Sequence, residues 1–500
     1  MSRQVSSAAS YSRARPMELA DLRLGGFVGR SVVVLGFARS GIALARFLVD
    51  QGARVTIYDV RPEEELGSAL AALEERPVRL LCGPHIDPPE ALTDQQLVCT
   101  SPSVSSTFST TEPRLRSALG RVEAEGRIPV VSEVDLFLRL CPAVTIGVTG
   151  TKGKTTTSAL IAGILERSDR PVVLGGNIGS PLVERLPGLR PQHRVVIELS
   201  ELQLPTLSRG TDVAVYTHVT SDHLDRHGSV ERYRAVKQRL AGLVDDHGAL
   251  VLNAEDAVSS GYGRLAPAGA TVIRYRRSPP PAGGVGVRDG WIVDEQQRIM
   301  PVDESPLPGA HNVSNVLAAI AASSYLGVPA EAIRAAVAAF RGVEHRLEYV
   351  AEIDGVRFIN DSMGTQPDAV IAALRSYPAP LILIAGGRAK ELAIDELAVV
   401  VAQRAAAAVL LGESGPQLER SFRAAGLATA ELAGSLEAAV ERAHALSERL
   451  LRQGAPRPAT VLLSPAAASF DMFTDYAARG DEFKRAVASL AARTTERSEA

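Results

Sequence analysis

The chain has 500 residues, 46% apolar, 22% charged and 4% aromatic, so at roughly 150 residues per domain it holds about three globular units of ordinary composition. Its 54 Lys and Arg against 57 Asp and Glu leave a formal charge of −3, which excludes a globally basic nucleic-acid binder or a polybasic membrane anchor. Cys82, Cys99 and Cys141 stand isolated, so a disulfide framework or Cys-based zinc site is excluded; with no apolar run near the roughly 20 residues that cross a bilayer, a soluble cytoplasmic protein is expected.

Residues 1–20 are rich in Ser and Arg, with no acidic residue before Glu18 and no apolar core. A secretory signal is excluded, and a disordered tail, or a start ahead of a true Met17, is expected. From Ser31 the chain alternates β-branched runs with helical-period stretches. Ser31-Val-Val-Val-Leu-Gly36, then Gly41 to Leu48, then Arg54-Val-Thr-Ile-Tyr58 predict a strand, helix and strand with glycines at the first turn. In that turn Ala38 takes the place of the second fingerprint glycine, and Asp59 ends the next strand. By itself this turn suits a nicotinamide cofactor, another diphosphate such as a UDP-sugar, or a purely structural role.

A second cycle opens at Val144-Thr-Ile-Gly-Val-Thr149 and continues with buried strands at Arg194–Glu198 and Val213–Tyr216. A third has strands at Val356–Ile359, Leu381–Ile384, Ala408–Leu411 and Thr460–Leu463, separated by Ala-rich helices. The expected architecture is therefore α/β in three domains: 21–130, Rossmann-like; 131–342, central, with a mainly parallel sheet; and 343–495, Rossmann-like again. The Pro- and Gly-rich stretch from Pro279 to Gly286 is expected as a loop inside the central domain.

Gly150-Thr151-Lys152-Gly153-Lys154-Thr155-Thr156 lies between a β-branched strand and an amphipathic helix, the setting a phosphate loop requires. Backbone N–H groups converge there on phosphate oxygens at the positive helix end, the lysine neutralises phosphate charge, and the Thr155 hydroxyl can reach Mg²⁺. Val148 occupies the position where the full Walker pattern has its first glycine. Glu198 and the Asp222-His223-Leu-Asp225 run follow apolar strands and so belong near strand ends beside that loop, where α/β sheets place ligands. Hard Mg²⁺ prefers oxygen ligands, which favours a magnesium site over zinc at His223.

Gly150 to Thr156, Gly176-Asn177-Ile-Gly179, Glu198-Leu-Ser200, Asp222 to Asp225, Gly309-Ala-His311-Asn312-Val-Ser-Asn315, Glu344-His345-Arg346-Leu-Glu348 and Asn360-Asp361-Ser362 resemble, in order, the motif set of the Mur ligases, from about residue 20 to 490. The resemblance implies an ATP-dependent amide-bond ligase acting on peptidoglycan precursors. By its resemblance within that family, Leu463-Ser-Pro-Ala-Ala-Ala-Ser469-Phe-Asp471 implies UDP-N-acetylmuramoyl-L-alanine and D-glutamate as substrates; no nucleic-acid or membrane partner is expected from the charge and hydropathy, and a monomer is expected although no residue pattern in the sequence fixes the oligomeric state.

Carried onto this chain, the resemblance implies a UDP site in the first domain at Gly36, Arg39, Ser40, Asp59, Arg61, Ser101 and Pro102, with Asn177, Gln203 and His223 near the muramoyl peptide. ATP falls to Gly150 through Thr156, Asn312, Arg346 and Asp361, and catalysis to Lys154, Glu198, His223, Lys237 and Arg346. Two Mg²⁺ ions would lie among Thr155, Glu198, His223 and Lys237, the last as a carbamate; otherwise Lys237 would read as a surface lysine on a basic helix. The amino-acid pocket would use Thr365, Lys390, Ser469 and Tyr476. Met363, Glu201 and Gln366 depart from frequent residues of the family, and Arg388 is the cation that would compensate for the charge missing at Met363. A related Mur ligase, a folylpolyglutamate-type ligase, or use of L-glutamate are the alternatives that share the ATP motifs.

Overall fold

The structure, a computed structural model, describes residues 16–220, 227–295, 297–307, 309–388, 394–467, 469 and 472–499. It forms two compact units, Met1–Phe340 and Arg341–Ala500. Strands are numbered along the chain. The first unit opens with β1 (Ser31–Leu35), β2 (Arg54–Asp59), β3 (Val78–Cys82), β4 (Leu97–Thr100) and β5 (Val130–Ser132). They form a parallel sheet in the order β3-β2-β1-β4-β5. Val32 through Leu35 are fully buried, as expected where helices cover both faces of a parallel sheet and alternation disappears. The strand order reverses between β1 and β4, which opens a crevice above their carboxyl ends.

The second sheet comprises β6 (Val144–Thr149), β7 (Val172–Gly176), β8 (Arg194–Glu198), β9 (Val213–Tyr216), β10 (Ala249–Asn253) and β11 (Thr271–Tyr275), ordered β11-β10-β9-β6-β8-β7. It too is parallel throughout. One apolar cluster runs from Phe47 and Leu48 through Val134, Phe137 and Leu182 to Val195 and Ile197, so the two sheets share a core. Met17 belongs to that cluster and donates its N–H to the Gln96 carbonyl. At Met17, therefore, the stretch expected to be a tail is packed into the core.

The stretch from Pro279 to Gly284 is a loop of bends and turns, as expected. It leads into an antiparallel meander of β12 (Gly286–Arg288), β13 (Trp291–Val293) and β14 (Arg298–Pro301), strands too short to show a period. The second unit carries β15 (Glu348–Ile353), β16 (Val356–Asn360), β17 (Leu381–Gly386), β18 (Ala407–Leu411), β19 (Ala430–Leu432) and β20 (Ala459–Leu463), ordered β15-β16-β20-β17-β18-β19. Its expected strands are all present, and β15 adds an antiparallel edge. Among the described residues no helix is long and apolar enough to cross a membrane.

Candidate active site

At the first crevice, Gly36 has φ +89° and the helix Arg39–Asp50 begins so close to β1 that a Cβ on Gly41 would lie 1.9 Å from the Gly36 carbonyl oxygen. Ser101, at the end of β4, donates its hydroxyl to the same oxygen over 3.0 Å, and Pro102 follows it, partly exposed. Asp59 is buried and accepts from the Phe37 N–H (2.7 Å) and from the backbone and guanidinium N–H groups of Arg61 (2.9 Å each). Burial opposes its charge, but the Arg61 and Phe37 donors prevail and hold its carboxyl below the ordinary 3.8. Asp59 and Arg61, expected to serve a ligand separately, thus form one bidentate pair. Arg39 and Ser40 open the helix, and Arg39 reaches the Gly179 carbonyl over 3.1 Å.

The loop Gly150–Thr156 connects β6 to the helix Lys154–Leu165. Gly153 is the N-cap at φ +90°, where a Cβ would come within 2.4 Å of Asn315 Oδ1; a Cβ on Gly150 would meet Thr217 Oγ1 at 2.0 Å. Glycine is therefore demanded twice by close approach as well as by backbone angle. Thr151 is fixed by His218 (its N–H to the carbonyl, 2.7 Å) and by a hydroxyl contact with Tyr233 (2.9 Å), and Thr217 donates to the Lys152 carbonyl over 2.6 Å. Lys154 Nζ folds back to the Gly150 and Thr151 carbonyls at 3.0 Å each. Thr155 is buried, Thr156 partly so, and Asn312 sits two residues into its helix, accepting from Asn315 over 3.1 Å.

Beside this loop Val148 of β6 pairs with Glu198 of β8, which aligns the carboxyl ends of the two strands. Glu198 is 1% exposed; Oε1 accepts from Asn177 Nδ2 at 2.7 Å, whereas Oε2 is buried and has no hydrogen-bond partner among the described residues. An orphaned buried carboxylate oxygen is costly unless a cation or donor completes it, so Glu198 with Thr155 fits a hard divalent ion. Gln203 instead accepts from the Ser200 N–H and hydroxyl and shapes the turn after β8.

Lys237 is not a surface lysine. It lies on the helix Val230–Leu243, is 0% exposed, places Nζ 5.6 Å from the Tyr233 ring centre, and donates to Thr149 Oγ1, one residue before the phosphate loop. Tyr233 thus contacts both the loop and the lysine, a link signalled only by its spacing of four on one helix. His223 lies outside the described residues.

In the second unit, Asp361 follows β16 and Ser464 follows β20. The Ser464 hydroxyl donates to Asp361 Oδ2 over 2.7 Å and the Leu347 N–H to Oδ1 over 3.2 Å. Burial pushes the Asp361 carboxyl up to about 6, against the pull of Ser464, Arg346 and Leu347. Arg346 is exposed next to His345, a buried residue at φ +60° that contacts Asn360. Arg479 is buried, a feature sequence reading missed; it donates to the Ser362 hydroxyl (3.0 Å) and carbonyl (2.9 Å) and to the Ala467 carbonyl (3.1 Å). It ties the Asn360–Ser362 turn to the run that contains Ser469. Thr365 is partly buried, Ser469 buried, and Tyr476 starts the last helix, its carbonyl accepting from Ser362. Lys390 lies outside the described residues.

Fold and site define an α/β phosphate-loop protein with a second α/β unit of its own. Three family profiles match in order: "Mur ligase MurD-like, N-terminal domain" over 30–121, "Mur ligase middle domain" over 148–323 and "Mur ligase, glutamate ligase domain" over 345–467. The chain is 38% identical over 464 residues to a Symbiobacterium thermophilum protein named UDP-N-acetylmuramoylalanine--D-glutamate ligase, which covers 91% of this chain and 97% of that one. It is 39% identical over 466 residues to a protein of the same name from Acidobacterium capsulatum, covering 91% and 95%. The chain belongs to the Mur ligase family. Its fold is shared with MurC of Thermotoga maritima (TM-score 0.52, 20% identity, 92% and 99% covered) and MurF of Acinetobacter baumannii (0.53, 15%, 91% and 93%).

Proposed function

We propose that this chain is the ligase that joins D-glutamate to the L-alanyl carboxylate of UDP-N-acetylmuramoyl-L-alanine, at the expense of ATP, and forms ADP and phosphate. A carboxylate is too electron-rich to be attacked by an amine, and oxide is too poor a leaving group, so activation comes first. The carboxylate oxygen attacks the γ-phosphorus of ATP, ADP leaves, and an acyl phosphate remains. The glutamate amine then attacks the carbonyl carbon, loses a proton, and phosphate departs with the former carboxylate oxygen. Phosphoryl transfer of this kind depends mainly on positioning and charge neutralisation.

The supporting observation is the phosphate loop beside the partnerless Glu198 oxygen on aligned strand ends. Lys154 would release its loop carbonyls to meet phosphate, while Thr155, Glu198, His223 and a carbamylated Lys237 would hold Mg²⁺. The metal, when bound, supplies positive charge to the phosphate oxygens. A buried lysine favours the carbamate reading, because an anionic carbamate offers oxygens where an ammonium would repel cations. Asn312, Arg346 and Asp361 would serve the nucleotide; Gly36, Arg39, Ser40, Asp59, Arg61, Ser101, Pro102, Asn177 and Gln203 the UDP substrate; and Thr365, Lys390, Ser469 and Tyr476 the amino acid. A monomer in the cytoplasm suits small soluble substrates.

The test is ADP release and product formation from ATP with the UDP substrate plus D-glutamate, L-glutamate or neither. Joined product with D-glutamate alone is expected. ADP formation that never joins the two substrates would overturn the assignment, and a product with L-glutamate alone would overturn its stereochemistry.

A further inference from the structure

We infer that Glu133 is a positioning residue for the Glu198 carboxylate, acting through the short segment from Gly175 to Val183. The inference rests on Glu198 as a magnesium ligand, as proposed above. Glu133 opens the helix Glu133–Leu140 directly after β5 and is 2% exposed. Its Oε1 accepts from the Val183 N–H at 3.1 Å, and the Leu182 N–H also bonds to it. A carboxyl group is expensive to bury, and here its partners are the backbone donors of one segment.

That segment has little slack at either end. A Cβ on Gly175 would lie 2.5 Å from Leu182 Cδ2, and one on Gly176 would lie 2.4 Å from the Glu198 carbonyl oxygen. Arg39 grips the middle at the Gly179 carbonyl. Asn177, between these contacts, gives its N–H to the Glu198 carbonyl (2.9 Å) and its side-chain amide to Glu198 Oε1 (2.7 Å). A shift of Leu182 and Val183 is thus passed by direct packing to Gly175, and from there to the amide that fixes which Glu198 oxygen stays free. The role requires an oxygen acceptor at position 133 with the length of a glutamate side chain.

The experiment compares full-length wild type with Glu133→Ala, Glu133→Asp and Glu133→Gln. It measures initial rates against Mg²⁺ and against D-glutamate, and Mg²⁺-dependent binding of a fluorescent ATP analogue without turnover. Glu133→Ala should raise the half-saturating Mg²⁺ about tenfold, as loss of an outer-shell partner does, and leave the KM for D-glutamate unchanged. Glu133→Asp, which keeps the charge but falls short, should move the same way, and Glu133→Gln should restore the wild-type requirement. In an Asn177→Ala background the effect of Glu133→Ala should vanish. Unchanged Mg²⁺ dependence in the Ala and Asp variants, or an effect additive with Asn177→Ala, would overturn the inference. Should Glu133→Ala fail to fold, the Asp and Gln pair decides alone. Absence of ligation by the wild type would count against the proposed reaction, while the binding measurement would still decide the role of Glu133.

Discussion

Asn177 donates its side-chain amide to one oxygen of Glu198 across 2.7 Å, and the other oxygen of that carboxylate is buried with no partner among the described residues. The amide both orients the carboxylate and selects which oxygen is presented. Asn177→Ala should therefore raise the Mg²⁺ requirement by about tenfold or more, with a smaller change in maximal rate at saturating metal. Magnesium titration of ADP release measures this; an unshifted midpoint would contradict it.

Gly153 caps the phosphate-loop helix at φ +90° with Asn315 Oδ1 2.4 Å from where a Cβ would stand. Gly153→Ala should cost about 1–3 kcal/mol of stability from backbone strain and abolish ATP binding through displacement of the loop. Lys154→Ala should leave the melting temperature near that of the wild type yet stop turnover, because phosphate charge loses its counter-ion. Calorimetric melting and nucleotide titration of the two variants separate fold from function.

Lys237 is wholly buried and reaches Thr149. If it works as a carbamate, Lys237→Ala should be nearly inactive and should regain part of its rate when acetate or another short carboxylic acid fills the space. Removal of bicarbonate should also slow the wild type. Failure of both would leave the lysine a structural cation.

Burial pushes the Glu133 carboxyl up to about 7 and that of Asp361 up to about 6. Both exceed their unfolded values, so the folded chain keeps protons that the unfolded chain has lost. The contribution of these two groups to stability is then fullest below the ordinary carboxylate range and declines as pH rises through the window from about 4 to 7. Each group is worth about 3 kcal/mol over its full span. Glu133→Gln and Asp361→Asn should flatten that decline in thermal melts; curves parallel to the wild type would refute the assignment.

Most of the fold is legible in the chain because its strands are buried on both faces and read as short runs rich in β-branched residues, as at Ser31–Leu35 and Val144–Thr149. The meander β12–β14 escapes notice, being built from strands of three or four residues, and β15 does so because its exposed edge carries Tyr349 and charged residues. Within the site, the phosphate loop announces itself through glycine spacing. What sequence conceals is pairing at a distance: Tyr233 with Thr151, Arg479 with Ser362, and Glu133 with Val183. A glutamate after a strand looks like any acid at a helix start until the fold encloses it.

With Asp59 and Arg61 at the UDP-substrate site proposed above, their coupling bears on how inhibitors should be drawn. Both carboxylate oxygens are already taken up by Phe37 and Arg61, so a compound offering a donor to Asp59 must first break a bidentate bridge. The Arg61 side chain is 43% exposed, against 7% for that of Asp59, which makes Arg61 the accessible handle. Molecules carrying an acceptor or an anion toward Arg61 should outcompete donor-bearing analogues of the same size.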